Sequence, residues 1–579
     1  MLSMDVFGVA LHRAILAHDD IHRLVAADLA EANHGLVGRD LGQVYLSLRL
    51  EAEERARAEA SSEGRHEVAS ANIADHLQDL VASTGLVDDP SDLVRRAITI
   101  ELDLYQELSR ANPEALWLHD LAVERDMQIA FVADSHLPRD LIARLIQGAQ
   151  FRPDFLVVSS HEGLTKKTGL FNRLARLCKV EPSAITHLGP DADLDVTIPA
   201  TVGMRTFHYP SGPDRNSCSL IADDRSQRSG LDSIALGLAS SRLDSIDPAT
   251  ATPADIGYYA GGPLAAGFAT WIGQIIADQC PTRVLFCGPA GQLVCHVTAF
   301  VNDQLSDGLL TVLPPPRDGY CPVTDLTDLG ALIDVDDGDR VLVVDLGWTG
   351  MTHLLVDVAL QAAEKTVEVT GAYLGLTNAS PPAPGVLTWA VQLPETNTDD
   401  RSCPPHLLQA LLAGVPPAPT AADIVGAASD DEPGETTGRR LGLGYKALRY
   451  QIEAGVREFI AELEPWLTFS RDRGTRTLIE PAHRIMTNPT HAEASVLGTY
   501  PLGTEPDGSP TLLATLPPLA QIAQDPSLID TNAADSPWAA GYMALAAGTG
   551  HQTSSPIARR SKRLRRRDPG LDGGAEEAC

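Results

Sequence analysis

Apolar residues along this chain come in two rhythms. Short unbroken runs at Met4–Leu11, Gln128–Ala133 (QIAFVA), Phe155–Ser159 (FLVVS) and Ala184–Leu188 read as buried strands. Helical spacing fills the intervals at Ala14–Ala32, Leu137–Gln147 and Lys167–Leu177. From Asp40 to Asn112 the helical period is sustained and heavily charged (LRLEAEERARAEA, NIADHLQDLVASTG, DLVRRAITIELDLYQEL). That stretch predicts a block of three amphipathic helices inserted after the first strand. A second round starts near Tyr258, with strands at Val284–Cys287, Val341–Asp345 and Val367–Leu374 and helices at Thr352–Ala363 and Tyr445–Leu463. Strands alternating with helices predict an α/β fold, in which parallel sheets are covered on both faces.

Length and composition refine this picture. At the usual domain size, 579 residues make about three or four domains. The expected division is a first domain over 1–210 with its helical insertion at about 20–112, and a linker over 211–255 rich in Ser, Asp, Arg and Pro. A second α/β domain follows over 256–380, then a loop-rich insertion over 381–440 carrying PPAPG, PPAPT and DDEPGETTGRR. A helical and mixed region over 441–545 precedes a tail over 546–579, where a basic run (Arg559–Arg567) predicts disorder. The net charge of −32 disfavours nucleic acid and anionic lipid as partners of the folded body. No run of about 18 apolar residues occurs, the N-terminus lacks a basic signal-peptide start, and the eight cysteines form no CxxC pair. The expected location is the cytoplasm.

Candidate chemistry sits at the strand ends. Asp5 lies in MDVFGV, Ala133 and Asp134 in FVADSHLP, Lys166 in EGLTKKTGLF, and Gly189–Asp195 in THLGPDADLD. Carboxyl ends of parallel strands converge on one crevice, so these groups can meet. There a carboxylate can act as nucleophile, a lysine can neutralise an anionic substrate, and trailing carboxylates can hold Mg²⁺. Each also has a purely structural reading: Asp5 as a turn cap, Asp134 as a turn residue, Lys166 and Lys167 as solvated helix-entry charges, and Asp191, Asp193 and Asp195 as an acidic loop.

This order of four motifs resembles the haloacid dehalogenase-like (HAD) hydrolase superfamily. The branch it most resembles is that of predicted hydrolases found with polysaccharide and glycosyltransferase genes. The resemblance covers about residues 1–210. It implies a Rossmann-like core with a helical cap, Asp5 and Lys166 as catalytic residues, Mg²⁺ held by Asp5, Asp195 and Asp191, and Asp134 facing the ligand. Departures from the pattern are pronounced. Phe7 stands where phosphatases of the superfamily carry an acid/base aspartate, although the polysaccharide-linked branch also has Phe there. Gly8 and Val9 replace the Asp-Thr of that branch, Ala133 replaces a phosphate-binding Ser/Thr, and Pro190 replaces an aspartate. A dehalogenase-type site also lacks the second aspartate and needs no metal, but it normally keeps that Ser/Thr. Losing an acid costs about 10²–10⁴ in rate. Losing a donor to the transferring group costs about 10²–10³ more. The expectation is therefore a catalytically eroded protein that binds a small phosphorylated ligand, or a partner in surface-polysaccharide metabolism. The alternative is an active Mg²⁺-dependent phosphatase on a sugar phosphate, with Asp5 as nucleophile.

In the second half, VLVVDLGWTGMT (341–352) reads as a strand, a glycine-rich turn and a helix. Backbone N–H groups at such a turn suit an anion, which makes Asp345, Gly347, Thr349 and Gly350 candidate ligand-binding residues. A structural βα turn is the other reading. The polysaccharide-linked branch carries similar stretches here, but Pro289-Ala290 replaces its Arg-Asp pair. No HExxH, GxSxG or P-loop motif occurs.

Overall fold

A computed structural model describes residues 1–209 apart from 18, 33–35 and 86; 230–246; 250–313 apart from 289, 303, 304, 306 and 307; 333–376 apart from 349; 385–389; 405–412; 435–504 apart from 472–474; and 510–548. About half of the expected linker and most of the loop-rich insertion and tail lie outside these residues, as do Thr349 and Pro289. The chain forms two compact units, one of Met1–Asp247 with Glu458–Glu480, the other of Pro248–Arg457 with Pro481–Cys579.

The first unit is built on a five-stranded parallel sheet in the order β5-β4-β1-β6-β7. Its strands are β1 (Leu2–Asp5), β4 (Ile129–Ala133), β5 (Phe155–Val158), β6 (Thr186–Gly189) and β7 (Arg205–His208). All five residues of β4 are buried, as a central strand covered on both faces requires. Val132 and Val157 pack with Leu170, Phe171 and Leu174 of the helix Leu170–Cys178. The first strand is shorter than the apolar run suggests. It stops at Asp5, and the chain turns through Phe7–Ala10 before β2 (Leu11–Arg13). Gly8 makes this turn feasible: its φ is +96°, and a Cβ there would lie 2.9 Å from Pro190 Cγ. Gly8 and Pro190, two separate departures in sequence, are thus one packing adaptation in space.

Strand β2 pairs antiparallel with β3 (Ser109–Ala111), through Leu11↔Ala111 and Arg13↔Ser109. The insertion leaves and re-enters the sheet domain through this ribbon. Four helices lie between: α1 (Asp20–Ala32), α2 (Leu36–Ser62), α3 (Ser70–Thr84) and α4 (Pro90–Leu108). The first of these starts six residues later than its pattern suggests, after a turn. Asp89 caps α4 by accepting from Asp92 N–H, with Pro90 at the first helical position. This helical cap is fastened to the sheet domain by buried charge. Arg49 of α2 donates to Glu101 of α4 at 3.1 Å, and Glu101 lies 3.0 Å from His136 in the loop after β4. Arg49 and Glu101 are both essentially inaccessible to solvent.

The second unit has its own five-stranded parallel sheet, ordered β12-β11-β10-β8-β9. Its strands are β8 (Arg283–Phe286), β9 (Leu310–Val312), β10 (Arg340–Trp348), β11 (Glu368–Leu376) and β12 (Val386–Thr388). Strand β10 runs three residues beyond its predicted end, because Gly347 and Trp348 stay paired with Gly375 and Leu376. Among the described residues, no helix is long and apolar enough to cross a membrane.

Candidate active site

Strand order reverses beside β1, which is followed in sequence by β4 on one side and neighbours β6 on the other. At such a switch point the loops leaving adjacent strands part and open a crevice at their carboxyl ends. Asp5 ends β1 there. Lys166, from the loop after β5, reaches Asp5 Oδ1 with its Nζ at 2.5 Å and Asp195 Oδ1 at 2.5 Å. Asp195 follows β6, in a helical turn that Asp191 caps by accepting from the N–H groups of Asp193 and Leu194. The three side chains predicted to meet are therefore joined by one ammonium, and all three are buried.

The set extends beneath the sheet end. His187 Nε2 donates to Asp195 Oδ1 at 3.2 Å, and its Nδ1 accepts from Ser3 Oγ at 2.9 Å. Burial holds the His187 pKa below its usual value, so the ring is neutral and Ser3 fixes its tautomer. Asp195 Oδ2 accepts from Asp191 N–H at 3.2 Å. Burial pushes the Asp195 carboxyl up, but the His187 bond and Lys166 outweigh it and hold the carboxyl below its ordinary range. Burial lowers the Lys166 pKa, and the two carboxylates more than reverse this, so Lys166 stays charged. Asp5 differs. Burial raises its carboxyl to about 7 against the pull of Lys166, with a smaller upward push from Asp195. A buried carboxyl raised in this way stabilises the fold when protonated and loses that contribution as pH rises from about 4 to 7. Asp5→Asn should remove this slope. In denaturant unfolding, the variant's stability relative to the natural protein should increase across that window, and a constant difference would show that Asp5 does not titrate there.

Structure also identifies two residues that sequence reasoning passed over, Arg13 and Glu67, and it sets Asp134, expected to face the ligand, against the Lys166 main chain. The Arg13 guanidinium lies 4.6 Å from the centre of the Phe7 ring and close enough to Asp5 to interact with its charge. Asp134 Oδ2 accepts the main-chain N–H of Lys166 at 3.1 Å. Glu67, from the cap loop between α2 and α3, meets the Asp134 side chain. Only Arg13, in the strand next to the Asp5 turn, had a local sequence cue.

The donor set does not fit Mg²⁺. Lys166 Nζ already occupies the space between Asp5 and Asp195. Both oxygens of Asp195 accept hydrogen bonds, Phe7 and Pro190 offer no side-chain donor, and one oxygen of Asp191 is used in capping. Among the described residues, no group of three or more His, Cys, Asp or Glu side chains is placed to hold a metal. A divalent ion would have to displace a buried ammonium, so no chemical step is assigned to one here.

In the second unit, Asp345 Oδ1 accepts from Leu346 N–H at 2.7 Å and Oδ2 from Thr352 Oγ1 at 2.6 Å. Burial keeps this carboxyl above its usual range. Gly347 has φ +106°, and a Cβ there would lie 2.0 Å from Gly375 O; Gly350 has φ +65°. The structure thus brings Asp345 and Gly347, at the end of β10, close in sequence to Gly350 in the turn that follows, with Asp345 bonded to its own strand and to Thr352 at the start of the next helix. They belong to a different unit from Asp5, Lys166 and Asp195.

No protein-family model matches this sequence. No curated protein matches it either. Solved structures that align with it include 2-haloacid dehalogenase from Pseudomonas syringae pv. Tomato DC3000, at 16% identity over 36% of this chain and 85% of that one, with a TM-score of 0.28. A HAD family enzyme from Bacteroides thetaiotaomicron aligns at 9% identity over 37% of this chain and 94% of that one, with a TM-score of 0.26. L-2-haloacid dehalogenase from Xanthobacter autotrophicus, with chloropropionic acid covalently bound, aligns at 17% identity over 36% and 76%, with a TM-score of 0.25. At these scores the likeness carries no argument about activity.

Proposed function

We propose that the first unit is a metal-independent hydrolytic site in which Asp5 is the nucleophile toward a small anionic substrate. The observation that carries this reading is the lysine bridge. Lys166 binds Oδ1 of Asp5, which supports Oδ2 as the attacking oxygen. Attack by Oδ2 on the substrate carbon would form an aspartyl ester and release the leaving group with its bonding electrons. Water would then cleave the ester at the Asp5 carbonyl, regenerating the carboxylate and yielding an alcohol and one proton. Phe7 cannot protonate a leaving group, which favours one that departs as a stable anion over the alkoxide of a sugar phosphate. Arg13 and Lys166 supply the positive charge that an anionic substrate needs.

The second reading is the eroded site, which binds a small phosphorylated ligand or a partner in surface-polysaccharide metabolism without turnover. Its support is the apolar filling by Phe7, Ala133 and the Gly8–Pro190 contact. One experiment separates the two. The full chain is assayed for halide release from 2-halocarboxylic acids and phosphate release from sugar phosphates, each with Mg²⁺ and with EDTA, in ¹⁸O-labelled water. The displacement mechanism predicts EDTA-insensitive turnover and ¹⁸O in the Asp5 carboxylate after several cycles. Turnover that needs Mg²⁺ would overturn the metal-free reading, and no turnover on either class would favour the eroded site.

A further inference from the structure

The cap rests on the sheet domain through a short segment, residues 66–70. His66 N–H donates to Gly163 O at 3.2 Å, and Ser70 N–H to His136 O at 2.9 Å. Between them Glu67 is buried, with only 6% of its surface exposed. Its Oε1 accepts from Val68 N–H at 2.9 Å and lies 3.4 Å from Arg57 of α2. Its Oε2 accepts from Ser159 Oγ at 3.3 Å, and Ser159 in turn accepts from Ser135 N–H at 2.7 Å. The remaining neighbour is the Asp134 side chain. Asp134 gives Oδ2 to the Lys166 N–H, while its Oδ1 is buried and takes no N–H or hydroxyl bond among the described residues. Two carboxyl groups in this position can bond only if one of them carries a proton; both ionised, they repel.

We propose that Glu67 is a positioning residue, supplied by the cap, that couples cap closure to Lys166 by sharing one proton with Asp134. The chain of contacts runs from Glu67 to Asp134, to the main chain of Lys166, and through its Nζ to Asp5. Burial and then Asp134 push the Glu67 carboxyl up against Val68 N–H and Arg57, which makes Glu67 the partner that favours the proton. The charged group facing the pair is Arg57 from α2, itself bonded to Glu53, and the neutral main-chain N–H of Lys166 bonds Asp134 from the other side. When the proton leaves, repulsion between Glu67 and Asp134 loosens the 66–70 segment and the Lys166 backbone together. The inference rests on the reading of Asp5 and Lys166 as the reacting pair, but its test involves no turnover.

The test uses the six lysines of the chain as reporters. The full-length protein is pulsed with an acetylating reagent at pH 6 and at pH 8.5, and Lys166 modification is read by mass spectrometry against Lys179 and Lys365. At pH 6, Glu67→Ala should raise the Lys166 rate about tenfold or more, as expected for losing a buried bond to a charged group. Glu67→Gln, whose amide donates to Asp134 at any pH, should match the natural protein at pH 6 and protect Lys166 better than it at pH 8.5. A Glu67→Ala rate equal to that of the natural protein would overturn the proposal. So would a Glu67→Gln protein that keeps the natural pH dependence, and this second arm decides the matter if Glu67→Ala does not fold. Turnover assays can fail without touching this result, and the labelling can fail with turnover intact.

Discussion

Asp5→Asn is expected to lower turnover by about 10⁴-fold or more on whatever substrate the natural protein hydrolyses, the scale seen when a covalent nucleophile is removed. The substitution keeps the shape of the side chain and an oxygen that can accept from Lys166. It removes the anionic oxygen that must form the new bond. Lys166 retains Asp195 as an ionised partner at 2.5 Å, so the ammonium is not orphaned and the site should keep its architecture. Single-turnover measurements with enzyme in excess of substrate would show whether the ester forms at all. A variant within tenfold of the natural rate would exclude Asp5 as the nucleophile and send the search to Asp134.

Lys166→Met should be among the most damaging substitutions to stability in the first unit, with a cost of about 3–5 kcal/mol. The ammonium lies between two buried carboxylates, and its removal leaves both without their counter-charge. Asp5 can relieve part of the strain by protonating, since its pKa already lies near 7. Asp195 keeps the His187 and Asp191 N–H bonds. Destabilisation should therefore deepen as pH rises through 7, and adding Asp5→Asn to Lys166→Met should recover part of the loss. Urea unfolding of the four proteins of this cycle gives the coupling directly; strict additivity would mean that Lys166 and Asp5 do not interact in solution.

The cap shows a similar arrangement for a different end. Arg49, Glu101 and His136 are buried charges and dipoles whose desolvation is offset only while the cap is docked. Burial opposes ionisation of Glu101, but His136 and Arg49 outweigh it and hold the carboxyl below its ordinary range. Docking therefore satisfies polar groups as well as apolar ones, and it fixes which cap loop faces the crevice at the carboxyl ends of the sheet.

Much of this was legible from the chain itself. The apolar runs that became β4, β5 and β6 are local signals, because a strand buried on both faces must be apolar throughout. Asp5, Lys166 and Asp195 could be grouped from sequence because parallel topology carries successive strand ends to one edge, a rule that needs no knowledge of packing. The cap helices declared themselves by period and charge. What the sequence left ambiguous is what long-range packing decides. The family resemblance implies Mg²⁺ on Asp5, Asp195 and Asp191, whereas the fold sets the Lys166 ammonium between Asp5 and Asp195. Gly8 and Pro190, 182 positions apart in the numbering, read as two unrelated losses until the turn after β1 brings them within van der Waals contact. Glu67 had no cue in sequence, since nothing in a charged interhelical loop shows which side it will dock against. A side chain's ionisation and its role depend on the groups that the fold places around it, and for Glu67 those groups are Asp134 and Ser159, each more than sixty residues away.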